Sequence, residues 1–527
     1  MYIFTTHRDR KPLFGLVAAT LLPHIAAAGV EAVNPLTQAH VLQAMASSNN
    51  SVGAACCHLL QTWLGSMVST PNSTVYQQST SSYWSVEAQS VDPGCVVSPT
   101  TTSDVSQAVG SINSLRELGI ECKFAVRSGG HTPWAGAATI SNGVQVDMSA
   151  INQVTVDYDR MTTSIGPGAR WRDVSSKLDA LNLTVTGGRA SSVGVGGLVT
   201  GAGLSFLSAQ HGFVADTVRE FEVVLYNGSV VTASSTCEPD LFFALKGGSN
   251  NFGIVTRIDL ATFSQGKVWG GTVFQPISAK NSSLHAFVKF AGQEDHDVYG
   301  AVILTFSLVA PINTWLISNI VAYTKPVVNP PVFHDFMAIQ PQIANTTRIT
   351  NLTDLTTEVA SFTSGVKSQL FYTSTWSNDL QTLADIVHLS QQYAETVAGV
   401  AGLLWTFSLQ PLPTAITTKS AKTGGNPLGL DESDGNLVVG LAGATWDNEA
   451  DHAKVLAAVS GFFAAADELA ASRHHLNSFK YLNYAYKTQE PIKGYGSKNV
   501  AKLRRVSKKY DPTGMFQKLV PGGWKLH

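Results

Sequence analysis

Between Gly187 and Gly203 seven of seventeen positions are glycine, in the run GGRASSVGVGGLVTGAG. Such a run makes a poor helix and a poor strand, because glycine loses more backbone entropy on ordering than any other residue and offers no side chain to pack. A chain that carries it needs its backbone to approach something that a Cβ would block. The spacing lacks the strand, turn, helix and downstream acidic residue of a dinucleotide fingerprint, and the Gly-Lys-Ser/Thr of a P-loop is missing. A second glycine loop, Arg127-Ser128-Gly129-Gly130-His131, follows the apolar Lys123-Phe124-Ala125-Val126 and reads as a strand entering a turn. Consecutive glycines allow positive φ and leave N–H groups uncovered, which predicts a nest for a pyrophosphate with Arg127 nearby. His131 then lies beside the ligand, and an imidazole is a nucleophile able to bond to an electrophilic cofactor carbon. The bland alternative is a tight turn followed by a surface histidine. A third glycine-bearing segment, KGGSNNFGIVT, spans residues 246–256.

A chain of 527 residues is too long for one core and implies two or three domains. The formal net charge of −2, with no long Lys/Arg run, gives no electrostatic footprint for nucleic acid or an anionic membrane, so a small molecule is the expected partner. Arg8, Arg10 and Lys11 precede an apolar stretch ending in Ala26-Ala27-Ala28, so residues 1–28 read as a secretory signal. A membrane anchor is the alternative, weakened by Pro23 and His24 within the run. No later segment reads as long and apolar enough to span a bilayer. Asn-X-Ser/Thr sequons at Asn49, Asn72, Asn182, Asn227, Asn281, Asn345 and Asn351 agree with export, to the outside or to a vesicle or vacuole. Four of the five cysteines, Cys56, Cys57, Cys95 and Cys122, fall in the first quarter. In an oxidising compartment they predict two disulfides pinning residues 29–90, with Cys56 and Cys57 taking different partners among Cys95 and Cys122. Cys237 is left over. No CxxC occurs, and no metal site is expected.

Apolar spacing predicts a helix over 36–66, and Ser103-Asp104 offers an N-cap before Val105, Val109, Ile112 and Leu115. To about residue 262 short strands, at 144–147, 162–165, 221–225 and 230–233, alternate with helices at 171–181 and 240–246. Asn227-Gly228 predicts a type I′ hairpin turn between two of those strands. Between 266 and 475 extended segments at 269–274, 302–308, 315–323, 403–409 and 437–441 are separated by helices such as 380–397 and 449–471. That order predicts an antiparallel sheet with helices on one face. Residues 479–486 read as extended, placing Tyr481 and Asn483 on one side and Tyr484 on the other. Residues 499–510 read as a basic helix stopped at Asp511-Pro512. There is no internal repeat.

The two glycine loops, the 246–256 segment, Tyr481-Leu482-Asn483-Tyr484 and Tyr510-Asp511-Pro512 together resemble the berberine bridge enzyme-like flavoproteins of the vanillyl-alcohol oxidase and p-cresol methylhydroxylase superfamily. The N-terminal Cys-Cys segment is most similar to the fungal FAD-linked oxidoreductases of secondary metabolism. The resemblance implies an α+β fold. An FAD-binding domain of two α/β subdomains would span 91–265, a substrate domain 266–475, and a C-terminal segment, 476–527, would return to the FAD domain. His131 matches the histidine joined to the flavin 8α-methyl, and Arg127, Ser128, Gly129 and Gly130 match the loop around the pyrophosphate. Ser191, Val193, Gly194, Gly196, Gly197, Gly201 and Val255 fall in the cofactor-binding segments, with Asn483 beside them. Many relatives add a second flavin bond through a cysteine where this chain has Ala190, so a single attachment through His131 is implied. Val193 matches the position that gates oxygen access, or is simply a packing valine.

Tyr484 matches the active-site tyrosine. A phenol, with a reference pKa near 10, needs a neighbouring cation to serve as a base at neutral pH. Either Asn483 contacts flavin and Tyr484 the substrate, or the reverse. His211 reads as structural. The implied activity is an FAD-dependent oxidase transferring hydride from an alcohol, or equivalent C–H, of a polyketide-like molecule to flavin N5, with O2 as acceptor and the protein a monomer. A secreted carbohydrate oxidase and a bifunctional oxidase and cyclase are the alternatives.

Overall fold

A computed structural model describes residues 51–362 and 366–526. The expected signal at 1–28 and the sequon at Asn49 lie outside the described residues. The first sheet has Cys95–Val97, Val144–Asp147 and Phe124–Arg127 side by side and parallel, with Val68–Ser69 added antiparallel at one edge. Parallel strands need a crossover, and helix Thr102–Glu117 supplies it. Its cap lies earlier than expected. Thr101 accepts from the Asp104 N–H while the Asp104 carboxylate accepts from the Thr101 N–H, a reciprocal box that outcompetes a cap at Ser103. Val105, Val109, Ile112 and Leu115 are buried as their spacing requires.

The second sheet is antiparallel, ordered Val154–Asp157, Thr162–Ile165, Ile254–Ala261, Val218–Val224 and Val230–Ser234. The last two strands form the expected hairpin, but its turn is not type I′, which needs positive φ at both central residues. Only Gly228 takes one, at 82°, and its N–H donates to the Leu225 carbonyl at 2.9 Å. The turn therefore opens in the right-handed region and ends on a left-handed glycine.

Residues 268–477 build a nine-stranded antiparallel sheet. Along strand Leu404–Leu412 the side chains of Trp405, Phe407 and Leu409 join the main core with Phe287, Leu383, Ile386, Val455 and Phe462 from three helices, Lys280–Ala291, Leu380–Glu395 and His452–Ser472. Alternation turns Thr406, Ser408 and Gln410 to the opposite face, which looks toward the glycine loops. Strand Ser368–Ser377 and helix Leu352–Ser361 were not foreseen. The reading that no later segment could span a bilayer is corrected: Glu449–Ser472 is long and apolar enough by length and composition. Val455, Val459, Phe462, Phe463 and Ala466 of this helix pack into the sheet core.

The end of the chain closes both halves of the glycine-loop domain. Leu503, Val506 and Tyr510 of helix Ser497–Tyr510 pack with Phe221 and Phe242, and Met515, Phe516 and Leu519 pack with Phe124 and Val146. Disulfides Cys56–Cys122 and Cys57–Cys95 tie helix Val52–Leu64 to the first sheet, so the adjacent cysteines do take different partners. Cys237 is exposed and unpaired.

Candidate active site at the meeting of two glycine loops

Strand Phe124–Arg127 delivers the chain into its loop, where Gly130 takes φ 65°. The reason for glycine is plain at the next contact. A Cβ on Gly129 would lie 2.5 Å from the Gly194 N and Cα, and one on Gly194 only 2.3 Å from the Gly129 N. The two loops thus touch backbone to backbone, as the glycine density demanded. Ser128 pins them, its Oγ donating to the Pro167 carbonyl at 2.6 Å and accepting from the Gly196 N–H at 3.2 Å. Gly197, one residue on, is exposed and would meet nothing within 4 Å on gaining a Cβ, so it marks the open side of the cradle.

Arg127 does not face that cradle. Its guanidinium pairs with Asp147 at 3.2 Å, donates to Ser79 and Ser82, and lies 4.2 Å over the Tyr83 ring. Asp147 and the N-terminal segment take up its Nη groups, while its buried Nε has no hydrogen-bond partner among the described residues. Arg127 therefore braces the loop from behind, a correction to its expected place beside a pyrophosphate.

His131 ends the loop with its Nε2 3.0 Å from Ser192 Oγ, and Trp84 stacks on its ring. Burial, reinforced by Arg170, pushes its pKa down to about 3, so the imidazole is neutral and nucleophilic. Arg170 also donates to the Ser192 carbonyl. Neither Ser192 nor Trp84 stood out in the sequence, Trp84 because it follows a Ser/Thr-rich stretch that folds as helix Thr74–Ser81.

The segment holding Tyr484 is not the expected strand. Leu482–Tyr484 forms a 3₁₀ turn, stabilised by the contacts of Asn483. The Asn483 Nδ2 donates to the Leu198 and Gly201 carbonyls at 3.0 and 3.1 Å, and to the Tyr481 hydroxyl. It satisfies carbonyls at the end of helix Val195–Thr200 that have no partner within the helix. A Cβ on Gly201 would fall 2.1 Å from Asn483 Oδ1, so this glycine makes room for the asparagine. The Tyr481 hydroxyl accepts from the Leu204 N–H at 2.8 Å, and burial raises its pKa.

Tyr484 points elsewhere. Its hydroxyl accepts from Arg189 Nη2 at 2.8 Å and donates to Gln410 Oε1 at 3.2 Å, while Arg189 donates to that same oxygen. A cation therefore lies against the phenol oxygen, and it comes from the glycine run. Phe371 packs edge-on to the Tyr484 ring at 6.1 Å and meets Trp84 at 5.2 Å, linking the tyrosine to the wall of His131. Arg189 lies in the glycine run and Gln410 one residue past the strand predicted at 403–409, but their contacts with Tyr484 span 295 and 74 residues.

The other expected residues are spread around this centre. The Ala190 carbonyl accepts from the Val193 N–H, and the Ser191 N–H donates to the Thr356 carbonyl of helix Leu352–Ser361. Val193 packs against the core of the second sheet. Val255 is the second residue of strand Ile254–Ala261, paired with Val223. His211 stacks on Phe263 at 3.7 Å, and burial with Lys419 pushes its pKa down to about 4. Among the described residues no three His, Cys, Asp or Glu side chains cluster to hold a metal.

A cradle of touching glycine loops, open at Gly197 and ending in a neutral imidazole, fits FAD. The comparisons agree. The FAD binding domain family matches residues 93–234. An FAD-dependent monooxygenase of Emericella nidulans, sdcF, is 39% identical over 481 residues, covering 90% of this chain and 99% of that protein. The xylooligosaccharide oxidase of Myceliophthora thermophila C1 shares the fold at 21% identity and a TM-score of 0.71, covering 89% of this chain and 99% of that one. Berberine bridge enzyme shares it at 14% identity and a TM-score of 0.69, covering 89% and 97% respectively. The chain belongs to the berberine bridge enzyme-like FAD-linked oxidoreductases.

Proposed function

We propose that this enzyme is an oxidase of fungal secondary metabolism that oxidises an alcohol, or equivalent C–H, of a polyketide-like small molecule, with O2 as final acceptor. The observation that carries the reading is the Tyr484, Arg189 and Gln410 cluster on the sheet face turned toward the glycine loops. FAD, when bound, supplies the hydride acceptor. Tyr484 receives the substrate's proton as the phenolate, which returns to the phenol, and Arg189 holds a fixed positive charge beside that oxygen. Gln410 orients both groups through one amide oxygen. Trp84 and Phe371 form an apolar wall that limits water. His131 holds the cofactor by one covalent bond, since Ala190 lacks the thiol for another. The two disulfides support a place in the secretory pathway.

Anaerobic addition of candidate alcohols is the test, and a true substrate bleaches the flavin band. In air, one peroxide per product is expected. The monooxygenase name of the relative favours a second reading, in which label from ¹⁸O₂ enters the product and peroxide does not accumulate. A product formed with the flavin band unchanged throughout anaerobic turnover would sink both readings and leave a cyclase.

A further inference from the structure

We infer that Arg189 and Gln410 form an oxyanion subsite, and that the substrate carries an acidic oxygen, an enolate, phenolate or carboxylate, on a planar conjugated frame. This rests on the oxidase reading of the same site and names its substrate class. Arginine nitrogens only donate, so Gln410 must present its oxygen to Arg189 Nη2, and its NH₂ group then points away from that contact. Gln410 is 2% exposed, and its Nε2 makes no hydrogen bond among the described residues. The Arg189 Nε and Nη1 are equally without a protein partner there, and no carboxylate pairs with this half-buried guanidinium.

A half-buried guanidinium with no counter-ion, its Nε and Nη1 hydrogens free, offers charge-assisted donors to an oxygen anion. Two further features place the rest of the ligand. Ser408 and Thr406 continue the polar stripe from Gln410 along the same face, Ser408 lying 2.8 Å from the Thr305 hydroxyl. Phe371 and Trp84 offer ring surfaces beside Tyr484. A flat molecule with one acidic oxygen uses the rings and the cation together. A neutral sugar can use the stripe and the rings but brings no charge to Arg189.

The test uses the oxidised holoenzyme and two probes of equal shape, benzoate and benzamide, followed by perturbation of the flavin spectrum. Benzoate is expected to bind about tenfold tighter or more. In Arg189→Gln that preference should shrink to within about twofold, and Arg189→Lys should keep part of it. Tyr484→Phe should keep most of it, since Gln410 still holds Arg189 Nη2. Flavin content of each variant reports whether it has folded. Equal binding of the two probes to the native enzyme would overturn the inference. So would an Arg189→Gln enzyme that still prefers benzoate, or one whose only change is a shifted flavin potential, which would assign the charge to the cofactor. Failure of the oxidase reading is separate, because it shows as absent bleaching and leaves benzoate binding to the oxidised enzyme unaffected.

Discussion

The indole of Trp84 lies flat on the imidazole of His131, ring centroids 4.4 Å apart and planes 15° from parallel. This contact and the Arg170 charge explain why His131 resists protonation down to about pH 3. Attachment of FAD to apoprotein should therefore be nearly independent of pH from 8 to 5. An ordinary imidazole would lose ~30-fold over that range as its neutral fraction falls. Trp84→Ala should restore the acid loss by admitting water. Acid-stable flavin fluorescence against time measures both, and a native rate that falls ~30-fold would refute the assignment. Stability follows the same linkage. The unfolded imidazole takes a proton near pH 6.5 and the folded one only near 3, so this contribution is complete above 6.5 and declines as pH falls toward 3.

Glycines needed for folding should separate from those needed for the cofactor. Gly129→Ala and Gly194→Ala push a Cβ into facing backbone at 2.5 and 2.3 Å and should each cost about 1–3 kcal/mol with loss of flavin. Gly197→Ala meets nothing within 4 Å and lies in a helix, where alanine gains up to about 1 kcal/mol. Its apoprotein should be as stable as the native one while its flavin content drops. Denaturant midpoints and bound flavin decide, and full flavin in Gly197→Ala would show that this side of the loop does not meet the cofactor.

What could be read beforehand was local or periodic. The glycine loops declare themselves because a missing Cβ is visible in any single sequence, and strand Phe124–Arg127 because a short apolar run leads straight into one of them. Strand Ser368–Ser377, SQLFYTSTWS, hid because serine and threonine occur on both of its faces, leaving no alternation to detect. Helix His452–Ser472 was legible as a helix covering the sheet, and its alanines and phenylalanines also meet the composition of a span. Tyr484 was legible through its motif, whereas Arg189 and Gln410 became its partners only through the fold. Arg127 misled because a basic residue beside a glycine loop suggests an anion, and its true partner, Asp147, is 20 residues away on the neighbouring strand.

The two disulfides should each matter and should not substitute for one another. Cys56–Cys122 spans 66 residues and Cys57–Cys95 spans 38, which for loop closure corresponds to about 4 kcal/mol apiece. The test needs paired substitutions, Cys56→Ser with Cys122→Ser and Cys57→Ser with Cys95→Ser. A single replacement would leave a thiol next to an intact bridge and invite exchange. Each pair should lower the denaturant midpoint clearly, and Cys237→Ser should leave it unchanged. A pair of serines with no effect would mean that helix Val52–Leu64 is held by packing alone.

Asn483 and Tyr484 are adjacent in sequence but should fail in different ways. Asn483 spends its amide on the Leu198 and Gly201 carbonyls, so Asn483→Ala should loosen the glycine run, lowering flavin content and stability by about 1–3 kcal/mol for the polar groups left unpaired. The turnover of those molecules that keep flavin should change little. Tyr484 makes its bonds only to Arg189 and Gln410, so Tyr484→Phe should fold and load flavin normally. Its flavin reduction rate should fall by about 10²–10⁴-fold, the usual loss when a positioned proton acceptor is removed. Stopped-flow reduction under anaerobic conditions, normalised to bound flavin, separates the two. If Tyr484→Phe reduces its flavin at the native rate, the proton leaves by another route and Tyr484 serves only to hold Arg189.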